Sequence, residues 1–563
     1  MKKKGFTLIE LLAVIVILSI IALIAIPIVL NVVNDAKESA RKSSVAGFAD
    51  AMKLGVSDYM FQNSGDLPAI DENFQKKYNS KGENVICEGV YSTDSYGIVL
   101  HNCKVGTNTT NYCFAKGNHY ACDDTTYTSI LEYAKNGVKP NISYQDQSGA
   151  NIPELLDNMI PVKYEDNNSI YANTSQEWYD YNKKEWANAV VLKSGVTKTV
   201  GQTITEDDIA LWYVWVPRYK YTIFNGNNEN VPEQEIKVAF EKGIETTGTL
   251  SCVNQIYQVC TDTENGSIIN GTSTYTHPAF TFGNKELTGI WVGKFENSTT
   301  DAACLSKANS LNCDKNSHII EIKPNVDSLR FTSLSNFFSS IQNIKTNYKI
   351  DNGDSHLIKN LEWGAIAYLT QSKYGRCSDG TCEEVTINNA RKNQIPFPIQ
   401  TGCAANSVSE RWSDTCQNEY HTIGGVKAST TGNIYGIYDM SGGAWEYVMG
   451  NSAETGSSLN LKVSGFVEIP EDKYFDLYPY SENVLSYKNG KLGDATKEIL
   501  LSFSGTLGSG WNSDLSDFIY KYSPWFLRGD TAGDGRYAGI FSFIRSTGEP
   551  SDYYSSRSVL VLE

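Results

Sequence analysis

From Leu11 to Leu30 the chain is an aliphatic run interrupted only by Ser19 and Pro27. Twenty residues at about 1.5 Å rise make a helix of roughly 30 Å, the thickness of a bilayer's hydrocarbon core. By length this is a transmembrane helix, and it fixes where everything after it must fold. Lys2, Lys3 and Lys4 precede the run and no comparable basic cluster follows it at once. The positive flank therefore stays in the cytoplasm, and residues beyond about 35 lie outside. A secretory signal peptide is the plain alternative, but its apolar segment is shorter, about 7–15 residues. Nor does that reading account for Glu10 beside the apolar core, where a carboxylate costs on the order of 2.5–3.5 kcal/mol at a helix centre and less near its end. Glu10 should have a partner.

Twelve cysteines fall as local couples in chain order: Cys87 and Cys103, Cys113 and Cys122, Cys252 and Cys260, Cys304 and Cys313, Cys377 and Cys382, Cys403 and Cys416. An even count at short spacing outside the membrane reads as disulfide clips, each contributing up to roughly 3 kcal/mol by restricting the unfolded chain. Spacing alone does not fix the connectivity. The rival is zinc, suggested by His101 near Cys103 and His119 near Cys122, yet no Cys-x-x-Cys pair occurs.

The residues around the apolar run resemble a known family. Gly5-Phe6-Thr7-Leu8-Ile9-Glu10 followed by an aliphatic helix is similar to the class III signal of type IV pilins and secretion pseudopilins, and Pro27 falls where many pilins carry a helix-kinking proline. The resemblance implies cleavage by a prepilin peptidase between Gly5 and Phe6 and methylation of the new Phe6 amine. It also implies partners: other pilin subunits and an inner-membrane assembly machinery. Glu10 then gains a role, because in a filament core it can neutralise the Phe6 ammonium of a neighbouring subunit. Pro27, without an amide hydrogen, would bend or locally melt the helix.

Past Val33 the pattern becomes mixed charge with alanines, and apolar residues recur through Val45, Phe48, Met52 and Leu54. That spacing extends the helix to about residue 60 as an amphipathic stem. Short alternating runs, Val85–Tyr91 and Tyr96–Leu100, separated by Gly, Asn and Asp, make residues 61–140 a small antiparallel head closed by the first four cysteines. Residues 136–149 read as a linker or a surface loop.

Residues 150–563 exceed what such a head needs. Long loops rich in Asn, Ser, Thr and Gly separate brief aromatic strands such as Leu211–Tyr219 and Gly289–Phe295, and only Ser335–Ile344 and Leu361–Leu369 look strongly helical, so the class is α+β. With 12% aromatic and 20% charged residues, including 34 Tyr and 10 Trp, the chain is suited to folded, β-rich packing. A net charge of −16 disfavours phosphate backbones, so no nucleic-acid partner is expected.

A second resemblance lies between Thr431 and Val448. Gly432-Asn433-Ile434-Tyr435-Gly436-Ile437-Tyr438-Asp439-Met440-Ser441-Gly442-Gly443-Ala444-Trp445-Glu446-Tyr447 is similar to the signature of the formylglycine-generating-enzyme domain, of the C-type lectin fold class. Phe526–Asp530, Phe543–Arg545 and Arg557–Leu560 resemble that family's last strands, and the helix carrying Trp363 and Tyr368 one of its helices. Asp439 and Glu446 read as loop-fixing acceptors rather than catalytic acids. The oxidases of the family use two cysteines before the terminal arginine motif, and counting back from Arg545 puts Ala532 and Tyr537 there; neither is a soft copper ligand. Gly443 stands where the family often has Asn, so a calcium in that loop is not expected. Walker loops, His-Glu-x-x-His and Gly-x-Gly-x-x-Gly are absent, and the six histidines are scattered without ligand spacing. Neither an enzyme, a metal nor a cofactor is expected.

The expectation is a leader (1–5), a transmembrane and filament-core helix (6–60), a head (61–140) and a C-type-lectin-like outer domain (150–563). The precursor would span the cytoplasmic membrane once and end in a cell-surface filament. Its function would be that of a large minor pilin presenting a binding domain to a glycan or protein on a host or other surface. A pseudopilin of a secretion or DNA-uptake system and a surface-tethered enzyme are the alternatives. Binding is expected in the terminal loops, through Asp530, Asp534, Arg536, Tyr537, Asp552, Tyr553 and Tyr554, since loops on a rigid frame carry recognition and tyrosine gives contact area at low entropic cost. The Asp530/Asp534 pair has the chemistry to hold a hard cation, although solvated turn residues are the plainer reading.

Overall fold

The computed structural model describes residues 8–62, 70, 72–78, 85–93, 97–136 and 144–563, except 227–229, 255, 302–303, 305–312, 392–397, 453–462, 469, 484–485 and 505–506. The chain divides into two compact units, Met1–Ile142 and Ser143–Glu563.

The first unit is built on α1 (Leu8–Gln62), a single helix of 55 residues whose backbone runs unbroken through Pro27. The proline does not melt the helix. Two chemistries share this helix. From Leu8 to Val33 its described aliphatic side chains are exposed around the whole circumference, Leu8 at 81% and Leu23 at 79%. From Val45 onward it is one-sided: Val45, Phe48, Ala49, Met52 and Val56, at helical spacing, are buried against Ile98, Leu100, Val105, Tyr112 and Phe114. Leu54, expected in that stripe, instead points to solvent at 71% exposure. The sheet beneath has four antiparallel strands in sequential order, Val85–Thr93, Gly97–Val105, Tyr112–Ala115 and Asn118–Tyr120. Because side chains alternate across a strand, its other face buries Val99, Cys113 and Ala115 under Tyr127, Ile130 and Leu131 of a later helix, Thr125–Asn136. The Tyr112 hydroxyl donates to Glu38 of α1 at 2.7 Å, a polar tie between stem and sheet.

The second unit has one continuous apolar core reaching from Ala150 to Val561. Its seven-stranded sheet runs, in spatial order, Gly353–Leu357, Ser558–Leu562, Gly289–Gly293, Ile209–Pro217, Asn188–Leu192, Met159–Glu165 and Asn168–Tyr171. Ile209–Pro217 is buried along its whole length, which explains its unbroken apolar and aromatic sequence. The last strand of the chain is an interior strand of this sheet, paired antiparallel on both sides. A second sheet of eight strands gathers Trp445–Asn451, Trp525–Gly529 and Gly539–Ser546, with Tyr554–Ser556 parallel to the first of these. Helices Leu334–Gln342, Ile344–Tyr348 and Asn360–Thr370 complete the frame; the last is buried at every position, Trp363 and Tyr368 included.

All twelve cysteines form disulfides, and they do so within the local couples. Cys87 and Cys103, Cys252 and Cys260, and Cys377 and Cys382 are directly opposed on antiparallel strands, where two Cβ atoms are close enough to bridge. Zinc is thereby displaced. Nδ1 of His101 faces the Tyr127 hydroxyl at 3.2 Å, and His119 lies edge-on to Phe114. Among the described residues one metal-capable group comes together, Asp301, Cys304 and His318, but the Cys304 sulfur is bonded to Cys313 and offers no thiolate.

Candidate functional site

At the N-terminus Gly5 and Phe6 lie outside the described residues, as do the side chains of Glu10 and Pro27, whose backbones belong to α1. Among the described residues no helix is long and apolar enough to cross a membrane. What the structure does describe is the exposed apolar circumference from Leu8 to Val33, immediately after the expected cleavage point. Such a surface needs a non-aqueous environment.

In the second unit the loop of the 432–447 signature is pinned by buried charge. Asp439, at φ +60°, accepts from Asn388 Nδ2 at 2.8 Å and from the Gly402 amide at 2.9 Å, joining three loops. Glu446 makes a fully buried two-point ion pair with Arg557, at 2.9 and 2.5 Å, and Arg557 also donates to the carbonyls of Gly293 and Tyr438. Lys294, equally buried, donates to Asn188 Oδ1 and to the carbonyls of Ile434 and Gly436. Gly443 has a steric reason for its identity: a Cβ there would stand 2.2 Å from Glu296 Oε1, which accepts the Ala444 amide. Burial pushes the carboxyls of Glu296, Asp439 and Glu446 up, the last to about 7, with Arg557 opposing. The side chains of Lys294, Glu296, Asp439, Glu446 and Arg557 are all buried. Asp439 and Glu446 hold the loop in place, in keeping with the part read for them from sequence. Lys294 and Glu296 had no signal of their own in the sequence.

The terminal arginines act in the same way. Buried Arg528 donates to Asn360 Oδ1 at 2.8 Å and to the carbonyls of Ala495 and Asp494, and Arg545 pairs with Asp517. Ala532 is buried with Ile387, Ala405 and Ala538, while Tyr537 is on the surface. Neither side chain carries sulfur, and every cysteine of the chain is disulfide-bonded.

The structure separates the seven residues expected to bind ligand. Asp530 is buried; its Oδ1 accepts the Thr531 amide and its Oδ2 has no hydrogen-bond partner. Burial first, then the neighbouring Asp534, raises its carboxyl to about 9, so it is protonated at neutral pH. Its burial keeps it off the contact surface. Tyr554 packs edge-on against Tyr447 in the parallel pair with Trp445–Asn451 and belongs to the frame. Asp534, Arg536, Tyr537 and Tyr553 are exposed, with Arg536 stacked on Tyr537, and Asp552 is half-buried with its carbonyl held by Arg330.

Residues 1–26 match the family model described as the prokaryotic N-terminal methylation motif. The chain thus carries a type IV pilin-like signal, which implies prepilin-peptidase processing, assembly with other pilins, and a membrane-anchored precursor exported to the cell surface. No curated protein matches the chain significantly. Among solved structures it is similar to the Major Tropism Determinant I1 variant, at 12% identity and a TM-score of 0.21, covering 75% of this chain and all of that one. A likeness of that degree assigns neither fold nor ligand.

Proposed function

We propose that the chain is a large minor-pilin-like subunit of a type IV pilus or related filament. In this reading residues 1–5 are the leader, 6–60 the anchor and filament-core helix, and 61–140 the head. The second unit, on a C-type-lectin-like scaffold, binds a surface ligand. The methylation motif at residues 1–26 carries the reading. The apolar circumference of α1 supports it: residues 11–30 suit the single span of the precursor, and neighbouring helices replace lipid once the subunit is extracted. A protonatable carboxylate at Glu10 facing the Phe6 ammonium of the next subunit supplies register. The size of the second unit favours a sparse adhesin over a repeating pseudopilin, because some 400 residues hinder close repetition along a filament. The braced signature loop and the missing thiolates favour binding over catalysis, and no reaction is assigned. Immunogold microscopy with antibody to the second unit, together with mass spectrometry of the mature N-terminus, tests this. Label on filaments and an N-terminal Phe6 are expected. A mature N-terminus beyond about residue 25 overturns the pilin reading.

A further inference from the structure

Away from the terminal loops, the second unit has a solvent-reachable cavity of about 630 Å³. That lies within the usual size of small-molecule sites, roughly 300–1,000 Å³. Three elements build most of its wall: the start of helix Asn360–Thr370, the 472–477 segment, and the disulfide-clamped hairpin of Leu250–Asn254 and Gln258–Asp262, which supplies Ile256 at its turn. The hairpin is docked by Gln258, whose Oε1 accepts the Leu492 amide at 2.8 Å.

Three ammonium groups line the cavity, those of Lys359, Lys473 and Lys491, with three carboxylates, Glu286, Asp472 and Asp476. Their existing commitments are unequal. Glu286 is engaged by Arg218 at 2.7 Å and by the Thr281 hydroxyl at 2.8 Å. Asp476 accepts the Leu361 amide at 2.7 Å, which uses one of its oxygens. Lys359 differs: its side chain is only 6% exposed, yet its nearest acceptors are the Thr281 carbonyl at 3.5 Å and Glu362 at 3.8 Å. Both distances are long for N–H···O bonds, and Glu362 is already taken by His356 and by the Lys359 backbone amide. A buried ammonium whose donors lack a full-strength acceptor is costly unless an anionic oxygen meets it. Asp472, also in the lining, is exposed. Between these polar groups stand Leu361, Phe475 and Pro278.

A deep cationic anchor, carboxylates placed to accept hydroxyl protons, and interleaved apolar wall match one chemistry. Pyranoses offer hydroxyls that donate and accept alternately together with an apolar C–H face, and a carboxylated sugar adds the anion. We infer that this cavity binds a carboxylated sugar at a glycan end, with its carboxylate on Lys359 and its hydroxyls on Asp472 and Asp476. The chain's net charge of −16 works against non-specific uptake of anions, so binding reports the cavity itself.

The inference rests on the adhesin reading only for the source of the sugar. It is tested on the full-length protein in detergent, whereas filament incorporation is scored in cells, so the two fail separately. Isothermal titration with 3′-sialyllactose should give saturable binding. Lactose, which lacks the acidic sugar, should bind at least about tenfold more weakly, a difference of about 1.4 kcal/mol. Lys359→Gln should lower affinity for 3′-sialyllactose by a similar factor. Ile256→Trp, which adds bulk to the lining without touching a buried charge, should do so with an unchanged circular-dichroism spectrum and guards against misfolding of the first variant. The inference is overturned if 3′-sialyllactose does not bind, if lactose binds equally, or if natively folded Ile256→Trp keeps full affinity. Displacement by equimolar inorganic phosphate, which would mark a simple anion site, or tighter binding of a tri-glutamate peptide also overturns it.

Discussion

Asp530→Asn should stabilise this protein, and by an amount that grows with pH. Asp530 is fully buried, and burial followed by the neighbouring Asp534 raises its carboxyl to about 9. An unfolded aspartate titrates near 3.9, so between about pH 4 and pH 9 the folded state holds a proton that the unfolded state has released. A group with a raised folded pKa costs stability as pH rises through that window. At about 1.36 kcal/mol per unit, the cost is about 1–2 kcal/mol at pH 5 and about 4 kcal/mol at pH 7. Asparagine removes the proton linkage and keeps the one hydrogen bond the side chain makes, its oxygen accepting the Thr531 amide. Glu446 and Glu498, both at about 7, and Asp476 and Asp517, both at about 6, carry the same sign, while buried His277, lowered to about 3, opposes it below about pH 6.5. Those contributions are common to both proteins, so the difference between them isolates Asp530. Thermal melts of wild type and variant from pH 4 to pH 8 are the assay. The curves should meet near pH 4 and diverge by several degrees at pH 8, with the variant higher. A pH-independent gap, or a variant less stable at pH 8, refutes the reasoning.

Mass spectrometry should find Phe6 as a methylated mature N-terminus, with Gly5→Val blocking cleavage. Glu10→Ala should still insert into the membrane, since a charge is removed, yet be under-represented in sheared filaments; normal incorporation would free Glu10 of the assembly role. Arg557→Met leaves Glu446 buried without its cation and should lower stability by about 3–5 kcal/mol, a loss that adding Glu446→Gln should partly reverse in denaturant titrations. Thiol labelling of denatured, unreduced protein should find no reactive cysteine, and opening Cys403–Cys416 by paired Ala substitution should cost up to about 3 kcal/mol. Tyr554→Ala, which removes an aromatic contact with Tyr447, should lower the melting temperature, whereas Tyr553→Ala, at a side chain 37% exposed, should not.

The division between what could and could not be read in advance follows the range of the interactions involved. The long helix, its amphipathic half and the strands at 85–105 were legible because their signal is local: a period of 3.6 or 2 over consecutive residues. The disulfides were legible as couples because three of them clip neighbouring hairpin strands, where closeness in sequence and in space coincide. Leu54 broke its stripe because helical spacing bounds the buried face but does not say where the sheet beneath it ends. The fate of Asp530 and Tyr554 was not legible for a different reason. Nothing in Arg528-Gly529-Asp530 tells that the 532–538 loop turns inward against Ile387 and Ala405, from a segment over a hundred residues earlier. Lys359 is the extreme case. Its burial, its long contacts to Thr281 and Glu362, and its place beside Asp476 and Lys491 come from segments spread over more than 200 residues of chain. A lysine that looks like an ordinary surface residue in sequence becomes a candidate anchor only when the topology withdraws water from its ammonium without supplying a close acceptor. The same withdrawal makes Lys294, Arg528 and Arg557 into braces, because there the fold does supply acceptors, at 2.5–3.1 Å. What separates a structural cation from a binding one in this fold is therefore whether protein acceptors meet its donors, and by that criterion Lys359 falls on the binding side.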